Sequence, residues 1–114
     1  MEAKELMIGD KVMVKVLSQI PDTYVLHTWT ANDYSRDIQV KPITLTPEIL
    51  EKNGWWFDTE DAWLHDKVDF IIEKWNGRFQ CYEIPYMKLN YVHQIQQALR
   101  LCRHNEFADS FKVY

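Results

Sequence analysis

The chain has 114 residues, 46% hydrophobic and 26% charged, with a formal net charge of −4 at pH 7. A chain of this length fits one domain and buries about two thirds of its unfolded surface, so its core needs no disulfide or metal staples. The negative total excludes the uniformly basic surface of a general nucleic-acid or acidic-membrane binder and leaves room only for a local basic patch.

Aromatic residues make up 14% of the chain, with five Trp. Such rings close a small core with few residues, and because Trp is seldom buried completely, some are expected at the surface. Cys81 and Cys102 are too few for a disulfide framework or a four-ligand zinc site, and both read as small buried thiols. The acidic start MEAKELMIGD lacks the apolar segment of a signal peptide. No apolar run approaches the ~20 residues of a membrane span, so the expected location is cytoplasmic.

Taken in chain order, IGDKVMVKVL (8–17) opens with a Gly-Asp turn and then alternates, Val12, Val14 and Val16 on one side and Met13, Lys15 and Leu17 on the other. That is a strand with one face in the core. TYVLHTWT (23–30) reads as a second strand after the Pro21-Asp22 turn signal, and IQVKPI (38–43) as a third, which Pro42 places at an edge or near its end. The segment LTPEILEKNGW (45–55) carries the marks of a short helix over 46–53. Thr46 caps it, Pro47 sits at its first position, and Glu48 meets the positive end of its dipole. Leu45 staples onto Leu50, and Gly54 supplies the left-handed residue after the C-cap.

Residues 55–66 are open between a strand and an aromatic loop, interrupted by the acidic turn Asp58–Asp61. KVDFIIEKWNGRFQCYEI (67–84) predicts a hairpin about Asn76-Gly77, pairing Trp75 with Arg78, Glu73 with Gln80 and Ile72 with Cys81. A helix is predicted over 90–103 with Asn90 as N-cap and Tyr91, Val92, Ile95, Ala98, Leu99 and Cys102 as its apolar stripe. EFADSFKVY (106–114) closes the chain as a last strand or an extended tail.

The segments LMIGDKV, VKPITLTPEILEKNGW and LNYVHQIQQALRL, in this order, resemble a family of small uncharacterised proteins from gut Bacteroidales. Those proteins are often encoded in prophages or other integrated elements. Thr44, Trp55, Ile95, Gln97 and Ala98 depart from the family's pattern. The resemblance implies a genomic setting and transfers no activity or catalytic residue. The N-terminal part is also similar to the start of an SH3-like small barrel, where a Gly-Asp turn launches the first strand.

Catalytic and metal chemistry find little to work with. His27, His65, His93 and His104 include no i, i+4 pair on a helix, and no Cys-x-x-Cys or calcium-loop pattern occurs. No Gly-x-Ser-x-Gly is present, and Cys81 with His93 is the sole conceivable thiol pair. Asp58, Glu60, Asp61, Asp66 and Asp69 lie along a turn and its flanks, where solvation explains them more simply than a paired-carboxylate cleft. Neither a metal nor a cofactor is expected.

Two surfaces remain. His93, Gln97, Arg100 and His104 share one stripe of the last helix, rich in Gln and nearly without charge. It reads as a protein contact or, more simply, as polar groups bonded back to the rest of the fold. Arg100, Arg103 and His104 also form a basic zone, and exposed aromatics offer stacking platforms for nucleic acid.

The expected fold is α+β: an SH3-like small antiparallel barrel or curled sheet over 1–45, the short helix, the hairpin, and a C-terminal helix packed on the sheet, in one domain. The expected function is a non-enzymatic binding or assembly module with a protein partner or self-association. A nucleic-acid-binding small barrel is the alternative, and an enzyme of unidentified type comes third. The candidate contact residues are Trp29, Trp56, Trp75, Arg78, His93, Gln97, Arg100, Arg103 and His104.

Overall fold

The computed structural model describes residues 1–16, 23–35, 38–58, 62–75, 78–84 and 87–114, apart from the side chains of Val16 and Trp75. The fold is α+β, with two antiparallel sheets and few helices.

Strand β1 (Lys11–Val16) runs between β2 (Val25–Thr28) and β3 (Ile38–Lys41), antiparallel to both. Its alternation does what period two requires: Val12 and Val14 are buried, while Lys11, Met13 and Lys15 take the opposite face. Leu6 and Trp29 complete this small core with Ala3, Ile38 and Val40 packed against it. Of the two forms expected here, a small barrel or a curled sheet, no closed barrel forms among the described residues. After β3 the chain turns into helix α1 (Pro47–Lys52), and the later strands build a separate sheet, so nothing closes the first one. The Pro21-Asp22 turn lies outside the described residues.

Helix α1 forms as its punctuation predicts. Thr46 Oγ1 accepts the Ile49 N–H at 3.3 Å, and Gly54 takes φ +94° just past the end. Leu45 and Leu50 are buried in the main core. Asn53 then acts as a surrogate backbone unit: its Nδ2 donates to Ile49 O and Lys112 O, and its Oδ1 accepts from Lys112 N–H at 2.7 Å. This ties the C-terminal segment to the end of α1.

The stretch 55–66 resolves into strands. Here β4 (Trp55–Phe57) pairs with β5 (Ala62–His65), and β6 (Ile72–Trp75) and β7 (Arg78–Cys81) complete a sheet ordered β4-β5-β6-β7. The β6–β7 register is the predicted one, with Ile72 opposite Cys81, Glu73 opposite Gln80 and Trp75 opposite Arg78. The paired strands are shorter than 67–84, because 67–71 are not part of a strand. The Asn76-Gly77 turn and residues 59–61 of the acidic turn lie outside the described residues.

Helix α2 (Val92–Leu101) begins one residue later than expected, with Tyr91 rather than Asn90 as N-cap. Gln94 Oε1 reaches back to accept both the Asn90 and the Tyr91 N–H, satisfying donors that the helix start leaves open. Val92, Ile95, Ala98 and Leu99 bury against the second sheet's core. The segment expected as a strand or tail instead opens with helix α3 (Asn105–Asp109). The reason is a C-terminal motif without glycine. Arg103 adopts φ +68°, His104 N–H bonds Leu99 O at 2.8 Å, and the chain re-enters a helix. Ala108, Phe111 and Val113 then cover the main core.

Candidate functional site

The polar side of α2 docks onto the N-terminal segment. Gln96 is fully buried; its Oε1 accepts from Lys11 N–H at 2.7 Å, and its Nε2 donates to Gly9 O and Ala108 O. Gln97 Nε2 donates to Glu5 O and to Asp10 Oδ2. Arg100 pairs through Nη1 with Asp10 and through Nη2 with Asp109 at 3.2 Å. Asp10, with no exposed surface, also accepts Met7 N–H. Gly9 is held at φ +96° beneath this cluster, where a Cβ would stand 2.8 Å from both Arg100 Nη2 and Asp109 Oδ1.

His93 is buried and stacks on Tyr91 with the ring planes 9° apart, and its Nδ1 has no partner. Burial lowers its pKa, against the raising influence of Asp10 and Glu5.

The remaining candidate residues do not form one surface. Trp29 is completely buried, which corrects its assignment as an exposed stacking ring. Its indole is held edge-on by Tyr34, with ring centroids 5.5 Å apart. Trp56 is exposed on the edge strand β4, its N–H directed at Asp66 Oδ1. Arg78 is exposed on β7 and Arg103 at the end of α2, while His104 is half-buried at the start of α3. Trp75 lies on β6, its side chain outside the described atoms. The basic zone at the helix end is therefore broken up, because Arg100 is committed to two carboxylates.

A different basic surface lies on the outer face of the first sheet. In the row Tyr24, Lys15, Gln39, the Tyr24 hydroxyl donates to Gln39 Oε1 at 3.4 Å across the central strand. Lys15 Nζ and Lys41 Nζ stand 5.6 and 5.7 Å from the centroid of the Tyr24 ring. The next row is Leu26, Met13, Lys41, and beyond it Lys11 Nζ bonds Thr28 Oγ1 at 2.6 Å. None of the residues of β1, β2 and β3 is acidic. The signal for this face was present in the sequence, since the lysines of KVMVKV alternate with valines and Lys41 ends the next paired strand. Only the register between strands gathers them.

Beside Tyr24 a cleft of about 420 Å³ opens between Ala3, Tyr34, Ile38 and Gln39. Trp29 is among its lining residues but is itself completely buried, and its indole N–H has no acceptor. Asp33 lines the same cleft; its Oδ2 accepts from Thr30 N–H and Oγ1–H and lies 2.7 Å from His27 Nε2.

Both thiols are shifted toward their protonated form. Burial, reinforced by the hydrogen bond to Glu83, pushes the Cys81 thiol up to about 12, and Cys102, hydrogen-bonded to Cys81, is also raised by burial. Cys81 is thus partnered by Glu83 and Cys102 rather than by His93. Among the described residues no three His, Cys, Asp or Glu side chains converge as a metal site requires. No helix among them is long and apolar enough to cross a membrane. No protein-family model, no curated protein and no solved structure matches this chain.

Proposed function

We propose that the protein is a non-enzymatic binding module that takes a polyanion on the outer face of the β2-β1-β3 sheet. The observation that carries the reading is charge segregation. A chain with net charge −4 places Lys11, Lys15 and Lys41 on one sheet face whose strands contain no carboxylate. Lysines gathered on one face attract anions locally whatever the total charge. The α2 stripe does not compete for the role, because its glutamines and Arg100 are spent on the N-terminal segment. Retention on immobilised heparin with salt elution tests this. The wild type is expected to bind at low salt, and Lys15→Gln/Lys41→Gln to elute earlier; flow-through of the wild type at low salt refutes the reading.

A protein contact is favoured by one separate feature. Edge strand β4 exposes Trp56 on one face and Phe57 on the other, and its open edge is suited to strand addition by a partner or a second copy. Sedimentation of wild type and Trp56→Lys reads this directly, with self-association expected to weaken in the variant. The resemblance to mobile-element proteins of Bacteroidales adds a genomic setting to either reading and no residue.

A further inference from the structure

We propose a second binding site, for the phosphate group of a phosphomonoester, in the cleft that Lys52, Lys67 and Lys112 line at the C-terminal end of α1. It does not rest on the polyanion reading, because it shares no residue with the β2-β1-β3 face.

The cleft is built around Asn53, which is 8% exposed. Three segments meet there, and each brings a lysine. Lys52 directly precedes Asn53 as the last residue of α1. The Asn53 side chain clamps both the N–H and the carbonyl of Lys112. Its own carbonyl accepts the His65 Nε2–H at 2.7 Å, and His65 Nδ1 accepts the Lys67 N–H at 2.9 Å. The main chain is thus fixed, while all three lysines are exposed and their ammonium groups make no ion pair or hydrogen bond among the described residues. Like charges gathered this way repel one another, and an anion entering the cleft relieves that repulsion. Asp66 is the one carboxylate on the lining, which leaves two positive charges in excess. A phosphomonoester at neutral pH carries about −1.5 to −2 and matches that excess, whereas a carboxylate, a sulfate ester or a phosphodiester brings one charge per group. Flexible lysine stems let several ammonium groups gather on one phosphate. The cleft measures about 400 Å³, the size of a small-ligand site. Phe107, half-buried with its ring centroid 4.9 Å from that of His65, lines it and gives the organic part an apolar wall.

The test is an NMR titration of the isotope-labelled protein with phenyl phosphate, reading the amide shifts of Gly54 and Lys112. Saturable shifts with a Kd of about 1 mM or below are expected. Phenyl sulfate, with the same ring and one charge fewer, is expected to bind roughly 2- to 5-fold more weakly. Lys67→Gln/Lys112→Gln removes two exposed ammonium groups and keeps the main-chain bonds to Asn53 and His65, so the fold persists. This variant is expected to weaken phenyl phosphate roughly 2- to 30-fold, and Lys15→Gln/Lys41→Gln to leave it unchanged. A phosphotyrosine peptide and adenosine monophosphate then separate the sources. Tighter binding of the peptide assigns the phosphate to a modified protein, and tighter binding of the nucleotide assigns it to a free metabolite; both uphold the site.

Absence of a saturable shift up to about 10 mM phenyl phosphate overturns the inference. Equal affinity for phenyl sulfate overturns it too, since the cleft then has no use for the second charge. So does a Lys67→Gln/Lys112→Gln protein that binds phenyl phosphate as the wild type does.

Discussion

At the scale of single residues, the positions that matter most are those whose surroundings invert their ordinary behaviour. Arg103 occupies left-handed backbone space that L side chains enter at roughly 1–2 kcal/mol. Because it caps α2 and is exposed, Arg103→Gly is expected to raise stability by about 1 kcal/mol in urea unfolding, less whatever entropy glycine restores to the unfolded chain. Heparin retention should not change, which separates this residue from the lysine face. His93 carries a second expectation. Burial holds its folded pKa below the ordinary value of 6.5, so the unfolded chain takes up the proton first as pH falls. Stability contributed by neutral His93 is complete above that value and is lost as the pH drops beneath it. Thermal melts between about pH 7 and 5 should show a shallower decline for His93→Gln than for the wild type. Neither feature was legible in the sequence. A left-handed arginine follows from tertiary closure, and burial of a histidine depends on what docks over it.

At the scale of elements, local punctuation was readable and partner choice was not. The α1 cap, the β1 alternation and the β6–β7 register follow from residues adjacent in sequence, which is why Thr46, Gly54 and the Val12/Val14 pattern sufficed. The β4–β5 pair escaped because Trp55, Trp56 and Phe57 are apolar without alternation, a pattern that suits strand and loop equally. Helix α3 escaped because its start depends on the Arg103 turn. The polar stripe of α2 is the most informative case. Its sparse charge did mark it as more than a solvated face, yet its partner was the protein's own N-terminal backbone. The interaction is expected to be costly to break. Asp10→Ala leaves Arg100 largely buried without its inner carboxylate and frees Gln97 of one acceptor, so a loss of about 3–5 kcal/mol is expected in chemical denaturation.

For the whole molecule, the radius of gyration of 14.7 Å exceeds the about 13 Å of a round domain this long, and the extents are 47 × 24 × 23 Å. Two cores account for that elongation. The larger gathers α1, α2, α3 and the four-stranded sheet, whereas the smaller, among the described residues, centres on Leu6, Val12, Val14 and Trp29. With so few buried apolar groups, the three-stranded sheet should open at lower free energy than the main body. Native-state hydrogen exchange is expected to show the β1 and β2 amides exchanging through a sub-global opening while those of Ile95 and Leu99 await global unfolding. Identical opening energies would mean that the seam between α2 and the N-terminal segment makes one cooperative unit of both cores.

The seam also constrains how such a protein can diverge. Gln96 and Gln97 grip carbonyls and an amide of the main chain at Glu5, Gly9 and Lys11, groups that do not depend on the side chains of Glu5 and Lys11. Within the sheet, positions 13, 15, 24, 39 and 41 contribute nothing to these bonds. Descendants can therefore exchange the outer face residue by residue, acquiring a new binding preference, while the fitting that attaches it to the body stays the same.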